Sequence, residues 1–278
     1  MTNTPTYTPT STPVTFTISG NAGVAGATLS FTDGTPKTAS ADGSGDYTLT
    51  VSYNWSGSVT PSQTGFAFIP ASRTYTNVLA SMTGEDYVAT TTHGISLMPG
   101  WNLVSFNLHP VDTDTAAVLS SISGQYSLVY AWDASGGHPG SGNWMKYDPA
   151  QGFGNTLVDL DETMAFWIHM TSPAALDVVG TVPVTTDVAL YDNAGGWNLV
   201  GYPSALNRPL PDALRDHGVG SSFSLVYAHH ASDTGDPWKI FDPAAPGWAN
   251  DLTELAPGWG YWVMVSGDPT WIVGYGTP

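Results

Sequence analysis

Short runs of strict apolar/polar alternation fill the first third of the chain. Val14-Thr15-Phe16-Thr17-Ile18 alternates with period two, and residues 27–31, 47–51 and 58–60 follow the same rule. Turn formers separate them: Gly20-Asn21, Asp33-Gly34, Asp42-Gly43 and Asn54-Trp55-Ser56-Gly57. Period two sends successive side chains to opposite faces, so these runs read as half-buried strands joined by tight turns. About seven such strands at a spacing of roughly 8–12 residues predict a β-sandwich over residues 14–92.

Beyond residue 92 the pattern repeats. Gly100-Trp101-Asn102-Leu103-Val104 returns as Gly196-Trp197-Asn198-Leu199-Val200, and Ser127-Leu128-Val129-Tyr130-Ala131 as Ser224-Leu225-Val226-Tyr227-Ala228. Lys146-Tyr147-Asp148-Pro149 returns, with one residue inserted, as Lys239-Ile240-Phe241-Asp242-Pro243, and Phe166-Trp167-Ile168 as Tyr261-Trp262-Val263. The offsets are 96, 97, 94 and 95 residues, in one order, which marks a tandem duplication over 93–183 and 184–278. Each copy reads as about six strands with one short helix. In the second copy Pro211 opens the helix and Gly218 caps it; in the first, residues 115–122 are apolar at Ala116, Leu119 and Ile122. The fold class is therefore mainly β: an Ig-like sandwich followed by two repeated, mostly-β modules.

Two resemblances follow from these residues. Gly23-Val24-Ala25-Gly26-Ala27-Thr28-Leu29, the hairpin Asp42-Gly43-Ser44-Gly45-Asp46-Tyr47 and Gly65-Phe66-Ala67-Phe68-Ile69-Pro70 resemble the carboxypeptidase-regulatory-like, bacterial Ig-like sandwich. That resemblance implies a non-catalytic spacer or adhesion module and carries over no functional residue. The ordered set Gly-Trp-Asn-Leu-Val, Leu-Val-Tyr-Ala, Asp-Pro and aromatic-Trp resembles tandem modules of secreted bacterial surface proteins.

Composition changes the picture in three ways. Lys and Arg number 6 against 23 Asp and Glu, for a net charge of −17, so no basic surface can track nucleic acid or an anionic membrane. There is no cysteine, which excludes disulfides and thiolate chemistry and fits a bacterial extracellular or cell-surface location. No apolar run is long enough to cross a membrane as a helix. Residues 1–13 form a Thr/Pro-rich tail with Pro5, Pro9 and Pro13, which favours extended polyproline II. Met1 before that run reads as a start added to an excised fragment, or as a renumbered mature end.

The candidate chemistry is thin. Three Trp pairs hold matched positions (Trp101/Trp197, Trp144/Trp238, Trp167/Trp262) and read first as core, because indole rings bury the most area. Trp132 and Trp248 sit at loops and are the candidate ligand-stacking platforms. Asp42–Asp46 and Asp233–Asp236 offer oxygens at close spacing, so calcium is the one ion considered; no other cofactor is expected. His229-His230 point to opposite faces of a strand and cannot share a metal. Asp159, Asp161 and Glu162 cluster, but Glu254, Ala256 and Pro257 stand at the second-copy positions, so a carboxylate pair would serve one copy alone. Lys37, the only Lys of the first domain, is the candidate for a Lys–Asn cross-link that Glu85 could assist.

These features predict a non-catalytic extracellular structural protein, a subunit of a surface filament, sheath or stalk. Self-association would run through tail docking or strand addition at Val14, Thr15, Phe16, Thr17 and Ile18. The alternative is a glycan-binding adhesin that uses the loop aromatics. Neither nucleic acid nor membrane insertion is expected.

Overall fold

The computed structural model describes residues 13–136 and 144–276; most of the Thr/Pro tail, to which a docking role was assigned, lies outside them. Strands take up 48% of the chain and helices 8%, so the fold is mainly β as the sequence predicts. Contacts divide the chain into two compact units, 1–90 and 91–278, within two residues of the boundary expected from the sequence. The second unit contains both repeats.

In the first unit, β1 (Thr15–Asn21), β2 (Thr28–Asp33), β3 (Thr35–Ser40), β4 (Asp46–Ser52), β5 (Trp55–Ser62), β6 (Ala67–Ile69) and β7 (Arg73–Val78) build a sandwich. One sheet has the order β3-β2-β5-β7 and the other contains the antiparallel pair β1-β4. Ile18, Leu29, Leu49, Val51, Trp55 and Val59 fill the space between, each from the buried side of an alternating strand. β1 is not a free edge. β4 pairs along its whole length, and residues 81–87 occupy its other side, with Met82 N donating to Thr17 O (2.8 Å) and Ser19 N to Met82 O (3.0 Å). Strand addition along Val14–Ile18 is thereby narrowed: from Thr17 onward, the backbone groups that would receive a partner strand are already satisfied. Lys37 and Glu85, the suggested cross-link lysine and its assisting acid, bond to different partners. Lys37 Nζ meets Asp33 Oδ2 at 2.8 Å, whereas Glu85 accepts from Tyr75 Oη (3.0 Å) and pairs with Arg73 (3.4 Å).

The second unit begins in β8 (Val88–Leu97). The first repeat continues with β9 (Gly100–Val104), β10 (His109–Pro110), α1 (Thr115–Val118), β11 (Tyr126–Trp132), β12 (Trp144–Tyr147), β13 (Phe166–Met170) and β14 (Ala174–Thr181). The second repeat holds β15 (Thr185–Ala189), β16 (Trp197–Val200), β17 (Arg208–Pro209), α2 (Asp212–Leu214), β18 (Phe223–His229), β19 (Trp238–Phe241), β20 (Glu254–Leu255), β21 (Tyr261–Val265) and β22 (Thr270–Gly274). Corresponding four-stranded sheets have the same order, β12-β11-β13-β9 and β19-β18-β21-β16. Even the bulge recurs, between Tyr126 and Leu128 and between Phe223 and Leu225. Trp132 faces Trp144 in register as His229 faces Trp238. The hairpins Trp144–Pro149 and Trp238–Pro243 thus align without the inserted residue, and Lys146 and Lys239 are not equivalent.

Local chemistry explains the repeated Asn of the Gly-Trp-Asn motif. Asn102 is 3% exposed; its Oδ1 accepts from Met98 N (2.9 Å) and its Nδ2 donates to Met98 O (2.7 Å) and Gly100 O (3.0 Å). Asn198 does the same with Tyr191 and Gly196. One amide thereby satisfies three backbone polar groups of the turn that feeds the Trp strand. The expected helices form, though short. Asp114 caps α1 through Ala116 N and Ala117 N, while α2 unwinds where His217 and Gly218 leave helical dihedral angles.

The two repeats are joined through backbone as well as side chains. Val104 bridges Trp259 and Val200 bridges Met164, the same contact made in both directions. Ser105 N donates to Gly258 O (3.2 Å) and Gly201 N to Thr163 O (2.8 Å), again as mates. A small shared core of Leu103, Leu199 and Ala165 lies here, flanked by Trp132, Trp167 and Trp262. Gly260 permits the approach: a Cβ at that position would stand 2.7 Å from the Ala165 Cβ. Replacing Asn102 by Ala leaves three part-buried backbone groups without this partner and is expected to cost about 1–3 kcal/mol. Urea unfolding of the variant beside the native chain checks it; an unchanged midpoint would refute this role for the amide.

Candidate functional site

Period-two alternation in each repeat sheet gives two faces. Val104, Val129, Phe166 and Ile168 point into the first repeat's own core. Trp101, Tyr130, Trp132, Trp144 and Trp167 occupy the alternate positions, on the other face. In the second repeat Val200, Val226, Tyr261 and Val263 point inward, and Trp197, Tyr227, His229, Trp238 and Trp262 outward. The matched Trp pairs are therefore not core, contrary to the expectation from the sequence. Trp101, Trp144 and Trp238 are 40%, 37% and 47% exposed, and Trp167, Trp197 and Trp262 are half-buried.

The outward rings form one network with approximate twofold symmetry. Trp101 lies 6.1 Å from Tyr130 and 6.5 Å from Trp167; the mates Trp197–Tyr227 and Trp197–Trp262 are 5.8 and 6.3 Å apart. Across the repeat boundary Trp132 stands 5.8 Å from Trp262, and His229 stands 5.1 Å from Trp167. Trp144 reaches Trp262 (5.8 Å) as Trp238 reaches Trp167 (5.6 Å). Many of these pairs meet edge to face, the arrangement in which a ring's positive edge meets its neighbour's negative face.

Two clefts open in this network. The first, about 450 Å³, is lined by Trp132, Trp144, Trp197, Tyr227, Trp238 and Trp262. The second, about 620 Å³, is lined by Trp101, Tyr130, Trp144, Trp167, His229 and Trp238. Each takes four rings from one repeat and two from the other, so neither repeat builds a cleft alone. Trp144 and Trp238 line both. The one break in the symmetry is His229 at the place of Trp132. Trp132 Nε1 donates across the boundary to Trp197 O at 3.0 Å, which fixes its ring in the wall.

The two expected platform residues part company. Trp132 joins the first cleft, packed 5.1 Å from Trp144. Trp248 is 87% exposed on the turn Gly247–Ala249 and lines neither cleft. Trp55 and Trp271 are core: Trp271 is fully buried, stacked on Tyr202 and donating to Ala213 O at 2.9 Å. Sequence reasoning missed the clefts because it treated matched Trp residues as packing. The signal was present: Leu-Val-Tyr-Ala-Trp and Gly-Trp-Asn-Leu-Val carry apolar side chains on both faces of short strands, and a second apolar face must meet something.

The other candidates have local partners. Asp42 Oδ1 accepts from Ser44 N (2.8 Å) and Asp46 N (3.0 Å), as a hairpin turn requires. In the second oxygen-rich loop Lys239 Nζ lies 2.9 Å from Asp233, 3.5 Å from Asp236 and 3.7 Å from Asp251, so a lysine sits where the carboxylates converge. Asp159 accepts from Thr113, Asp161 from Thr163, and Glu162 pairs with His109 at 2.9 Å. His229 and His230 do diverge. The first faces Trp238 at 5.1 Å, and the second lies 3.8 Å from the Trp259 ring.

No protein-family model matches the chain, and no curated relative matches it. A solved structure, the Bacillus anthracis TIE protein, aligns over 94% of this chain at 6% identity with a TM-score of 0.23. The chain spans about half (49%) of that structure's length.

Burial holds the imidazoles of His93, His217, His229 and His230 below the ordinary histidine range; the Arg208 guanidinium adds to the effect at His217 and Lys239 to that at His230. Their folded forms are neutral, so their share of stability is complete above the unfolded pKa of about 6.5. It is lost as pH falls through that value toward the folded ones. Thermal melts from pH 8 to pH 5 are expected to show a falling midpoint, with a shallower fall in His230→Gln. A midpoint that rises or stays level on acidification would contradict the assignment.

Proposed function

We propose that this chain is a non-catalytic extracellular recognition protein whose duplicated part binds ligand in the two aromatic clefts, with the N-terminal sandwich as a spacer. The observation that carries this reading is the clustering of seven Trp side chains (101, 132, 144, 167, 197, 238 and 262) on facing strands around open clefts. A large apolar surface left open on a folded chain marks an interaction site, because burying it inside the fold would have been favourable. The stacking residues lie on strands rather than loops, which holds the rings in place before a ligand arrives. Of the two functions expected from the sequence, the adhesin-like one gains support. The filament reading keeps only a short strand-addition route, since β1 is bonded on both sides from Thr17 onward. Acidity and the absence of cysteine are the support for an extracellular location.

The described lining side chains carry no formal charge at neutral pH, burial favouring the neutral form of His229, so anionic ligands have no counter-charge there. Neutral sugars with apolar faces and methylated amines are the two classes that suit such walls. Titrating the whole chain with a panel of both, read by intrinsic tryptophan fluorescence, is expected to return saturable quenching by at least one class. Trp144→Ala combined with Trp238→Ala, which opens the walls of both clefts, should weaken that binding about tenfold or more. Trp248→Ala should leave it unchanged. A double variant that folds and binds like the native chain would overturn the proposal, as would a silent panel.

A further inference from the structure

We infer that the first cleft takes a quaternary ammonium group of the choline type; the inference rests on the reading of the clefts as binding sites. Its walls are five indoles and one phenol. Several of the rings stand at steep angles to one another, 72° between Trp132 and Trp144, 76° between Trp144 and Trp262, and 86° between Trp197 and Trp262, while Trp197 and Tyr227 tilt by 40°. Tyr227 and Trp238 meet at 87°. Walls at right angles present several π faces and edges to one small volume, the geometry that surrounds a compact, roughly spherical group rather than a flat one.

Chemistry then separates the candidate occupants. A sugar placed in this cleft gives up hydrogen bonds to water, and the walls return few. Among the described residues no carboxylate, amide or aliphatic hydroxyl lines the cleft, and Trp132 Nε1 already donates to Trp197 O. Burying hydroxyls without partners is costly. A trimethylammonium group asks for no hydrogen bond. Its methyl groups pack against the rings, and its charge is attracted by their negative faces, most strongly by Trp. The wider field favours the same sign, with a net charge of −17 and only six basic residues in the chain. Lys239, the basic residue on the strand that carries Trp238, is held by Asp233, Asp236 and Asp251. The second cleft differs by His229, which puts an imidazole between Trp167 and Trp238 where the first cleft has the indole of Trp132, the stronger π face for a cation.

Calorimetric titration of the whole chain with choline, and with its neutral carbon isostere 3,3-dimethylbutan-1-ol, tests the charge directly on native protein. Choline should bind, and the isostere about tenfold more weakly or worse. Equal binding of the two would overturn the inference while leaving the clefts as binding sites. Binding of a neutral oligosaccharide but not of choline would do the same. Failure of every ligand would remove both readings. Trp197→Phe, which alters the first cleft alone, should weaken choline several-fold, and Trp101→Phe, confined to the second, should not; the reverse order would refute the assignment to the first cleft. Sedimentation with phosphatidylcholine vesicles would assign the head group to a lipid surface, and choline binding without sedimentation would assign it to a free ion.

Discussion

The contact on which the second unit depends is the backbone-to-backbone approach of its two repeats. Val104 against Trp259, and Val200 against Met164, bring main chains together where Gly201 and Gly260 leave room and Leu103, Leu199 and Ala165 seal the gap. Once those points are fixed, the outward faces of two aromatic sheets are brought opposite one another. Near the seam the rings bury part of their area against the other repeat. Between the rings the clefts remain open. Duplication thus does more than lengthen the chain: the binding walls exist only where four rings of one copy meet two of the other.

The near-symmetry makes its single departure informative. Where the first repeat places Trp132, the second places His229, and the ring distances around the two residues still match: 5.1 Å from Trp132 to Trp144 and 5.1 Å from His229 to Trp238. The scaffold tolerates either ring, so the difference between the clefts lies in chemistry rather than in frame. Among the described residues, one cleft is lined by indole and phenol rings alone. The other carries a titratable nitrogen.

Much of the fold was legible in the sequence. The strands of the sandwich, the tandem repeat and the short helices follow from alternation, turn residues and matched motifs, which are local signals. The joining of the repeats was not legible, because it rests on Ser105, Gly201, Gly258 and Gly260, small residues whose role appears only when two backbones meet. The same gap hid the site. Trp101 and Trp167 read as core when each repeat is taken alone; a strand such as Phe166-Trp167-Ile168 gives no sign of whether its second apolar face meets its own module or a neighbour. Trp248, conspicuous in a Pro/Gly loop, attracted attention for its exposure, yet a lone ring without neighbours makes no cleft. The absent insertion between the Asp-Pro hairpins teaches the same lesson in register: matching Lys146 to Lys239 satisfied the eye, whereas strand pairing matches Trp144 to Trp238.

The most direct measurement follows the eleven indole N–H resonances of the nitrogen-labelled chain while tetramethylammonium is added. The account predicts saturable shifts concentrated in Trp132, Trp144, Trp197, Trp238 and Trp262, with Trp55, Trp248 and Trp271 unmoved. Shifts centred on Trp248, or spread without saturation over all the indoles, would contradict it.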